Sequence, residues 1–248
     1  MEKEFIKAKP VVLKLLEHGY QAVFVGGSVR DRIMNKVHGT NYSVHDIDIA
    51  TDATPEEVLQ LFPHSIDTNG VKHGTVFDVH EGENYEITTF RKESDYSDGR
   101  RPDTVEFTHD LQEDLNRRDF TINALAMTFD GQIIDYHDGI RDIHDLKLRC
   151  VGNANHRFQE DSLRILRMFR FQATHQLTPG QREIIAATHN SSLLSNLSGE
   201  RVHVEITKLM LSDWHEPFQI MISNDIFNSL PYLKDIKLAD VKPYCEQK

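Results

Sequence analysis

The stretch Asp46-Ile-Asp-Ile-Ala50 alternates carboxylate and apolar side chains and is the most informative segment of the chain. Successive side chains of a β-strand point to opposite faces, so the pattern predicts a strand with Asp46 and Asp48 together on one face. Two carboxylates roughly 7 Å apart repel each other unless a cation lies between them. Mg²⁺ takes one or two carboxylates together with substrate phosphates. Asp46 and Asp48 are therefore candidate metal ligands for two-metal phosphoryl transfer; taken alone, the pattern also fits an exposed strand with an acidic face.

A glycine-rich loop, Gly26-Gly-Ser-Val-Arg-Asp31, follows the short apolar stretch Ala22–Val25 and precedes a helical pattern. Glycines let the backbone approach a phosphate, and the amides at a helix start attract anions. Arg30 adds a fixed positive charge. The loop is neither a Walker A motif nor G-x-G-x-x-G, which removes the main support for a P-loop kinase or a dinucleotide-binding fold. A plain strand-to-helix turn accounts for the glycines but leaves Arg30 unexplained.

Helix and strand patterns alternate through the first 150 residues and give way to helices afterwards. A helix is predicted over 4–18 with Gly19 ending it, strands over 76–79 and 85–90 joined by a turn at 80–84, and a helix capped by Thr54. Amphipathic helices are predicted over 157–175, 180–189 and 200–212. The fold class is therefore α+β, with a catalytic head over 1–152, a mixed sheet with flanking helices, and an all-helical neck over 153–248.

Composition limits the class of protein without naming a partner. The 248 residues carry a net charge of −11, yet the segment from Lys147 to Arg170 contains six Lys or Arg residues and only two acids. Such a local basic stretch can hold phosphates, because repulsion is screened beyond about 8–10 Å. No apolar run approaches the ~20 residues of a membrane helix and the first residues are charged, so we expect a cytoplasmic protein with no membrane partner. Cys150 and Cys245 are expected to be free thiols.

The helix predicted from Arg157 carries an apolar stripe with charged residues beside it. The stripe consists of Phe158, Ile165, Leu166, Phe169 and Ala173. Arg157, Asp161 and Arg164 would gather on the adjoining face, at the spacing where helical neighbours meet. A carboxylate beside a guanidinium can accept from the amino group of cytosine or adenine and donate to the neighbouring ring atom. An ordinary surface salt bridge is the alternative origin of this pattern.

Four motifs occur in one order: Gly26–Asp31, Asp46-Ile-Asp48, Arg117-Arg-Asp-Phe-Thr-Ile-Asn-Ala124 and Glu160-Asp-Ser-Leu-Arg164. In this order the chain resembles class II CCA-adding enzymes and the related bacterial poly(A) polymerases, within the polymerase-beta-like nucleotidyltransferases. The resemblance implies Mg²⁺-dependent, template-independent addition of C, C and A from CTP and ATP to the 3′ end of tRNA. It assigns the metal to Asp46 and Asp48, the triphosphate to Gly27 and Arg30, and the incoming nucleotide to Arg118. In the neck it assigns base recognition to Asp161 and Arg164 and the nucleotide pocket to Arg167 and Arg170.

The resemblance also implies roles for segments outside these motifs. The segment from Arg91 to Thr104 is similar to a flexible loop that helps to switch from C to A addition. Asp135, Gly139 and Asp142 match a hinge motif, and Gly199–Lys208 is similar to a late helical motif with a structural role. Glu86 and Asp78 compete as a third metal-site carboxylate, and a surface acid is as good an interpretation of either.

Two features depart from the family. The segment Arg32–His45 is longer than usual, with Asn35 where glycine is common, which leaves its hairpin geometry open. Family members continue into body and tail regions that grip tRNA, and we expect these to be absent here. The alternatives are therefore a poly(A) polymerase, an enzyme that adds only CC or only A, and a truncated nucleotide- or RNA-binding module without turnover. The acidic composition and the absence of a basic extension favour tRNA as the substrate over general RNA.

Overall fold

The chain is described by a computed structural model that covers residues 2–44, 46–63, 65, 74–80, 82–94 and 104–230. The described residues fall in two units, one formed by 2–94 with 104–145 and the other by 146–230. Cys245 and the interior of the predicted flexible loop lie outside the described residues. Within the described part, no helix is long and apolar enough to cross a membrane.

A six-stranded mixed sheet organises the first unit. Its strands are β1 (Ala22–Val25), β2 (Asp48–Thr51), β3 (Thr75–His80), β4 (Glu83–Thr89), β7 (Leu125–Met127) and β8 (Ile133–Asp135), and their order across the sheet is β3-β4-β2-β1-β7-β8. Strand β2 runs parallel to β4 and antiparallel to β1. Strands β5 (Arg91–Ser94) and β6 (Thr104–Phe107) form a separate antiparallel pair. The mixed sheet confirms the α+β fold class.

Five helices flank this sheet: α1 (Lys3–Glu17), α2 (Gly27–His38), α3 (Pro55–Leu61), α4 (Leu111–Asn116) and α5 (Gly139–His144). Helix α1 buries the ring of Phe5, which meets Phe24 of β1 edge to face with ring centroids 5.1 Å apart. Beyond this helix Gly19 has a φ of 89°. Thr54 and Glu57 form a complete capping box at the start of α3. Local sequence signals thus set these helix ends as predicted.

The second unit is mainly helical. It contains α6 (Ala154–Glu160), α7 (Leu163–His175), α8 (Gln181–His189), α9 (Gly199–Met210) and α10 (His215–Ser223), with the short parallel strands β9 (Lys147–Leu148) and β10 (Thr178–Pro179). The predicted apolar stripe forms its core, since all five side chains from Phe158 to Ala173 are buried. The helical region after the head is therefore confirmed for the described residues.

The first predicted element to be corrected is the strand over Asp46–Ala50, which begins only at Asp48. Strand β1 ends at Val25, the partner of Asp48, and Gly26 then turns into α2, so β1 offers no partner to residues 46 and 47. The pairing of β2 with β4 also begins at Asp48, opposite Glu86. Asp46 lies instead in a bend with a φ of 48°, a left-handed conformation that Asp tolerates better than most residues. The prediction that Asp46 and Asp48 alternate along one strand was therefore wrong for Asp46.

The second correction concerns the single helix predicted over 157–175, which is broken between α6 and α7. Asp161 is extended there, with φ −144° and ψ 105°. Its side chain accepts a hydrogen bond from the backbone N–H of Leu163 at 3.1 Å. A short polar side chain that bonds nearby backbone in this way competes with the helical ladder.

Helix α5 is fixed to the first unit by two carboxylates that match the predicted hinge motif. Asp135 accepts hydrogen bonds from the backbone N–H groups of His137, Gly139 and Ile140. The Thr121 hydroxyl donates to the buried carboxylate of Asp142 at 2.5 Å. A Cβ on Gly139 would lie 2.3 Å from the carbonyl oxygen of Thr121. These contacts explain why a glycine stands at position 139, while the hinge role stays a prediction.

We expect Gly139→Ala to destabilise the protein by about 2 kcal/mol or more, because the new methyl group meets backbone that cannot rotate away. Urea unfolding measures the change. Arg141→Ala, at an exposed position of the same helix, is the control and should stay within about 0.5 kcal/mol of the wild type. Equal stabilities for the two variants would contradict the close approach of α5.

Candidate active site and base-recognition residues

Asp48 and Glu86 are direct neighbours on the parallel strands β2 and β4. Paired residues of adjacent strands point to the same face, so the two carboxylates project side by side. Both are half-buried, and burial is the largest cause that raises the pKa of each. The charge of Glu86 adds to this effect at Asp48, and the pKa of Asp48 rises from 3.8 to about 7. The sheet therefore holds two repelling acids together where a cation would relieve the repulsion.

The competing carboxylate, Asp78, lies on the other face of the sheet. It pairs in register with Tyr85, whereas Glu86 pairs with Phe77. Side chains alternate along a strand, so Asp78 and Glu86 point to opposite faces. Asp78 is buried and accepts a hydrogen bond from the Ser65 hydroxyl. Register alone thus favours Glu86 as the neighbour of Asp48.

Arg118 and Gly26 border the same carboxylate. A Cβ built on Gly26 would lie 2.8 Å from Asp48 Oδ2 and 3.8 Å from Arg118 Nη1. Gly26 has φ 79° and ψ −149°, a region that essentially only glycine adopts. The positive charge of Arg118 opposes the rise of the pKa at both Asp48 and Glu86. The loop glycine thus makes room for a carboxylate and a guanidinium to come together.

Asp114 of α4 forms ion pairs with both Arg117 and Arg118. Its carboxylate is 1% exposed and lies 2.9 Å from the Arg117 guanidinium and 3.4 Å from that of Arg118. It also accepts the backbone N–H of Arg91, the first residue of β5, at 3.3 Å. Burial alone would raise the pKa of Asp114, but the two arginines outweigh it and lower that pKa. Sequence reasoning missed Asp114, although its spacing of three and four residues from the two arginines is the helical pairing signal.

Asp46 remains close to this group despite its bend. It is exposed, and its charge contributes to the raised pKa of Asp48. It also borders a cavity of about 420 Å³, lined by Glu4, Lys7, Ile47, Gly82, Glu83, Asn84 and Tyr85. Both predicted catalytic carboxylates thus lie at the same end of β2, and Glu86 joins them from β4.

Gly27 and Arg30, the predicted triphosphate residues, lie at the start of α2. Arg30 is 7% exposed and makes a two-pronged contact with Asp31 at 2.8 and 3.0 Å. Its Nη1 donates to Asn123 at 2.7 Å, and Asn123 in turn donates to Asp119. A Cβ on Gly27 would lie 3.3 Å from Arg30 Nη2. The guanidinium is therefore fixed inside the first unit by acids and an amide, with Gly27 packed against it.

The donor set of this site fits Mg²⁺, which needs one or two carboxylates and takes its other ligands from water and phosphates. Asp48 and Glu86 supply two carboxylates on one face, and Asp46 is a third acid nearby. Within the described residues no group of three or more His, Cys, Asp or Glu side chains is gathered tightly enough to hold a metal by itself. Such a donor set fits an ion that would take its remaining ligands from water and phosphate oxygens.

The predicted base-recognition residues lie in the second unit, with partners that the sequence did not indicate. Glu160, not Asp161, lies between two guanidiniums, 3.0 Å from Arg157 and 2.6 Å from Arg164. Asp161 pairs with Arg201 of α9 at 2.7 Å. The expected pairing of Asp161 with Arg164 on one helix face was wrong, because the break between α6 and α7 turns Asp161 away from that face.

Arg167 and Arg170 lie further along α7, next to the ring of Phe171. Their guanidinium carbons lie 5.5 and 4.1 Å from the ring centroid, within the range of a cation–π contact. Arg170 also pairs with Glu205 of α9 at 2.5 Å. Neither Arg201 nor Glu205 was singled out from the sequence, since no local pattern connects α9 to residues 161 and 170.

Two protein-family models match parts of this sequence. The model described as the poly(A) polymerase head domain matches residues 22–149, which is more than half of the chain. The chain belongs to this family. A second model, described as a probable RNA and SrmB-binding site of polymerase A, matches residues 166–237. The poly(A) polymerase head thus contains the carboxylate site, and the second match contains Arg167 and Arg170.

Individual members of the poly(A) polymerase head family are similar along nearly the whole chain. A CCA-adding enzyme of Lactococcus lactis subsp. cremoris (strain MG1363) is 46% identical over 245 residues, 97% of this chain and 59% of the relative. A CCA-adding enzyme of Bacillus subtilis (strain 168) is 48% identical over 234 residues, 93% of this chain and 57% of the relative. The crystal structure of the Bacillus stearothermophilus CCA-adding enzyme in complex with CTP matches with a TM-score of 0.85 and 38% identity, over 95% of this chain and 56% of that one. The chain thus spans less than two thirds of these relatives' length.

Gly26→Ala should destabilise the protein more than Gly19→Ala. Both glycines have a positive φ, but a Cβ at Gly19 meets nothing within 4 Å, whereas one at Gly26 meets Asp48. We expect a difference of about 1–3 kcal/mol in the free energy of unfolding. Urea titration of both variants measures it, and equal costs would show that Gly26 does not press on Asp48.

Asp48→Asn should stabilise the metal-free protein by about 2 kcal/mol at pH 8, because it removes a buried charge beside Glu86. The pKa of Asp48 is about 7 in the folded protein and 3.8 in its ordinary state. The folded state therefore binds the proton more tightly, and its stability falls as the pH rises from about 4 to 7. The free energy of unfolding, measured in EDTA at pH 5 and pH 8, should depend less on pH in the variant than in the wild type.

Glu17→Gln, at an exposed position, is the control and should keep the pH dependence of the wild type. An unchanged pH dependence in Asp48→Asn would contradict the raised pKa of Asp48.

Proposed function

We propose that this protein adds C, C and A from CTP and ATP to the 3′ end of tRNA without a template. The observation that carries the proposal is the pairing of Asp48 with Glu86 beside Gly26 and Arg118. Its context is a chain that is 46–48% identical to proteins named CCA-adding enzymes. The location expected from the sequence, the cytoplasm, belongs to this proposal as the place where such a substrate is met.

In the proposed reaction the 3′-hydroxyl of the RNA attacks the α-phosphorus of the nucleotide. An O–P bond forms to the RNA, the bond from the α-phosphorus to the pyrophosphate oxygen breaks, and the hydroxyl proton is lost. Asp48, Glu86 and Asp46 would hold Mg²⁺, which supplies positive charge for activating the hydroxyl and for the departing pyrophosphate.

The protein's own groups supply the remaining charge and the position of the triphosphate. Arg118 lies close enough to both carboxylates to influence their pKa, and it offers donors to phosphate oxygens. Gly26 precedes α2 and has no side chain to cap it, so the amides of its first turn are open to an anion. Arg30 is anchored by Asp31 and Asn123; we propose that it stiffens this turn and adds positive charge behind it.

Base selection is proposed for the second unit. We propose that the carboxylate of Asp161 accepts from the amino group of cytosine or adenine and that the guanidinium of Arg164 donates to the ring nitrogen. The two groups would act from separate positions, since Asp161 pairs with Arg201 and Arg164 with Glu160. Uracil and guanine present a carbonyl group in place of that amine. Arg167 and Arg170 provide positive charge and stacked guanidinium planes along α7.

A nucleotide- or RNA-binding module without turnover is the second candidate. It would use the same nucleotide-binding residues and is distinguished from the first candidate by the absence of a reaction product. A poly(A) polymerase and an enzyme that adds only CC or only A share the same chemistry and differ in the product.

The test is extension of tRNA that lacks its last three nucleotides, with CTP, ATP and Mg²⁺, followed by sequencing of the 3′ ends. We expect C, C and A to be added, and Asp46→Ala/Asp48→Ala to abolish addition. A tract of A would reassign the protein to poly(A) synthesis. Binding of CTP without extension would favour the binding module.

The same assay separates the two candidates for the additional carboxylate. Glu86→Gln should lower the rate at least about 100-fold and raise the Mg²⁺ concentration needed for half-maximal activity. Asp78→Asn removes a more deeply buried charge from the opposite face and should change the rate by less than about fivefold at a temperature where both variants are folded. The reverse ranking would refute the proposed role of Glu86.

A further inference from the structure

Helix α9 contributes two ionic side chains whose partners are residues assigned above to nucleotide recognition. Arg201 and Glu205 are four residues apart, the spacing at which they could pair with each other on one helix. Each reaches another element instead: Arg201 bonds Asp161 at 2.7 Å, and Glu205 bonds Arg170 at 2.5 Å. One helix thus contacts both ends of the segment that carries the recognition residues.

The Asp161 carboxylate is fixed at both oxygens. Its Oδ1 accepts the backbone N–H of Leu163 at 3.1 Å, and its Oδ2 accepts Arg201 Nη2 at 2.7 Å. Asp161 lies in the extended break between α6 and α7. Each carboxylate oxygen can accept a second hydrogen bond. The contact with Arg201 therefore leaves acceptor capacity for a base while it removes rotational freedom.

Glu205 orients Arg170 as Arg201 orients Asp161. It is 6% exposed and lies in the buried stripe of α9 with Val202 and Leu209. Its bond to Arg170 Nε fixes the guanidinium plane, which lies 4.1 Å from the centroid of Phe171. A buried acid that neutralises Arg170 also allows a cation to remain at a largely buried position.

We propose that Arg201 and Glu205 are positioning residues: Arg201 sets the discrimination of cytosine and adenine from uracil and guanine through Asp161, and Glu205 sets nucleotide affinity through Arg170. The inference rests on the proposed function, in which Asp161 contacts the base. Its physical basis is that a recognition group held in place before binding loses less freedom when the ligand arrives. The motif Gly199–Lys208 thereby gains a role beyond its expected structural one.

The primary test is the ratio of kcat/KM for CTP to that for UTP, measured on trimmed tRNA. Arg201→Gln should lower this ratio about tenfold, because Asp161 loses a charged partner. Only Nη2 of Arg201 bonds Asp161, so the single ammonium of Arg201→Lys should keep the ratio within about twofold of the wild type. Glu205→Gln should raise KM for CTP and ATP together and leave the ratio unchanged.

Two controls separate positioning from folding. Glu200→Gln and Lys208→Gln remove the same kinds of charge at exposed positions of α9, and they should leave both the ratio and KM unchanged. Thermal unfolding midpoints are measured for every variant. A ratio that stays at the wild-type value in Arg201→Gln, while its midpoint falls, would show a purely structural role and overturn the proposal.

Calorimetric titration of CTP and UTP into the same proteins distinguishes a failure of this inference from a failure of the proposed function. If the wild type binds CTP in preference to UTP but does not extend tRNA, the ratio of affinities replaces the ratio of rates, with the same expected loss in Arg201→Gln. A wild type without that preference would refute base recognition itself and the positioning role with it.

Discussion

The placement of Asp48 beside Glu86, on adjacent parallel strands, is the constraint on which the rest of the first unit depends. Burial first, and then the charge of the neighbouring Glu86, raises the pKa of Asp48 to about 7. The positive charge of Arg118 partly offsets the negative charge of both acids. The absence of a side chain at Gly26 leaves room for the Asp48 carboxylate. Residual repulsion between the two acids costs stability, and a cation placed between them would relieve it.

Four of the arginines assigned to substrate binding share a second property: an acid of the same unit forms an ion pair with each of them. Asp114 holds Arg118, Asp31 holds Arg30, Glu160 holds Arg164 and Glu205 holds Arg170. A guanidinium that is oriented before the substrate arrives binds with a smaller loss of side-chain entropy. In a chain of net charge −11, these acids orient the guanidiniums and at the same time compensate part of their positive charge.

Asp114 also ties the carboxylate site to the stem of the segment predicted to be a flexible loop. It accepts the backbone N–H of Arg91 at the start of β5, while Glu93 of the same strand bonds Arg117 at 3.1 Å. A displacement of β5 would therefore shift Arg117 and Arg118, because Asp114 and Glu93 link the strand to these side chains. In the second unit the break at Asp161 serves a comparable purpose, since an extended backbone there lets α9 reach the carboxylate.

The sequence by itself determined the elements whose signals are local. Helix α1 with its glycine end, the capped helix α3, strand β1 and the β3–β4 hairpin follow from periodicity and capping, and the four motifs indicated the family. Features that depend on contacts between segments could be assigned only from the folded chain. The start of β2 depends on where β1 ends, the preference for Glu86 over Asp78 depends on register, and the break at Asp161 depends on side-chain bonds. The partnership of Asp161 with Arg201, 40 residues away, leaves no trace in any local pattern, because a contact across helices is set by their packing.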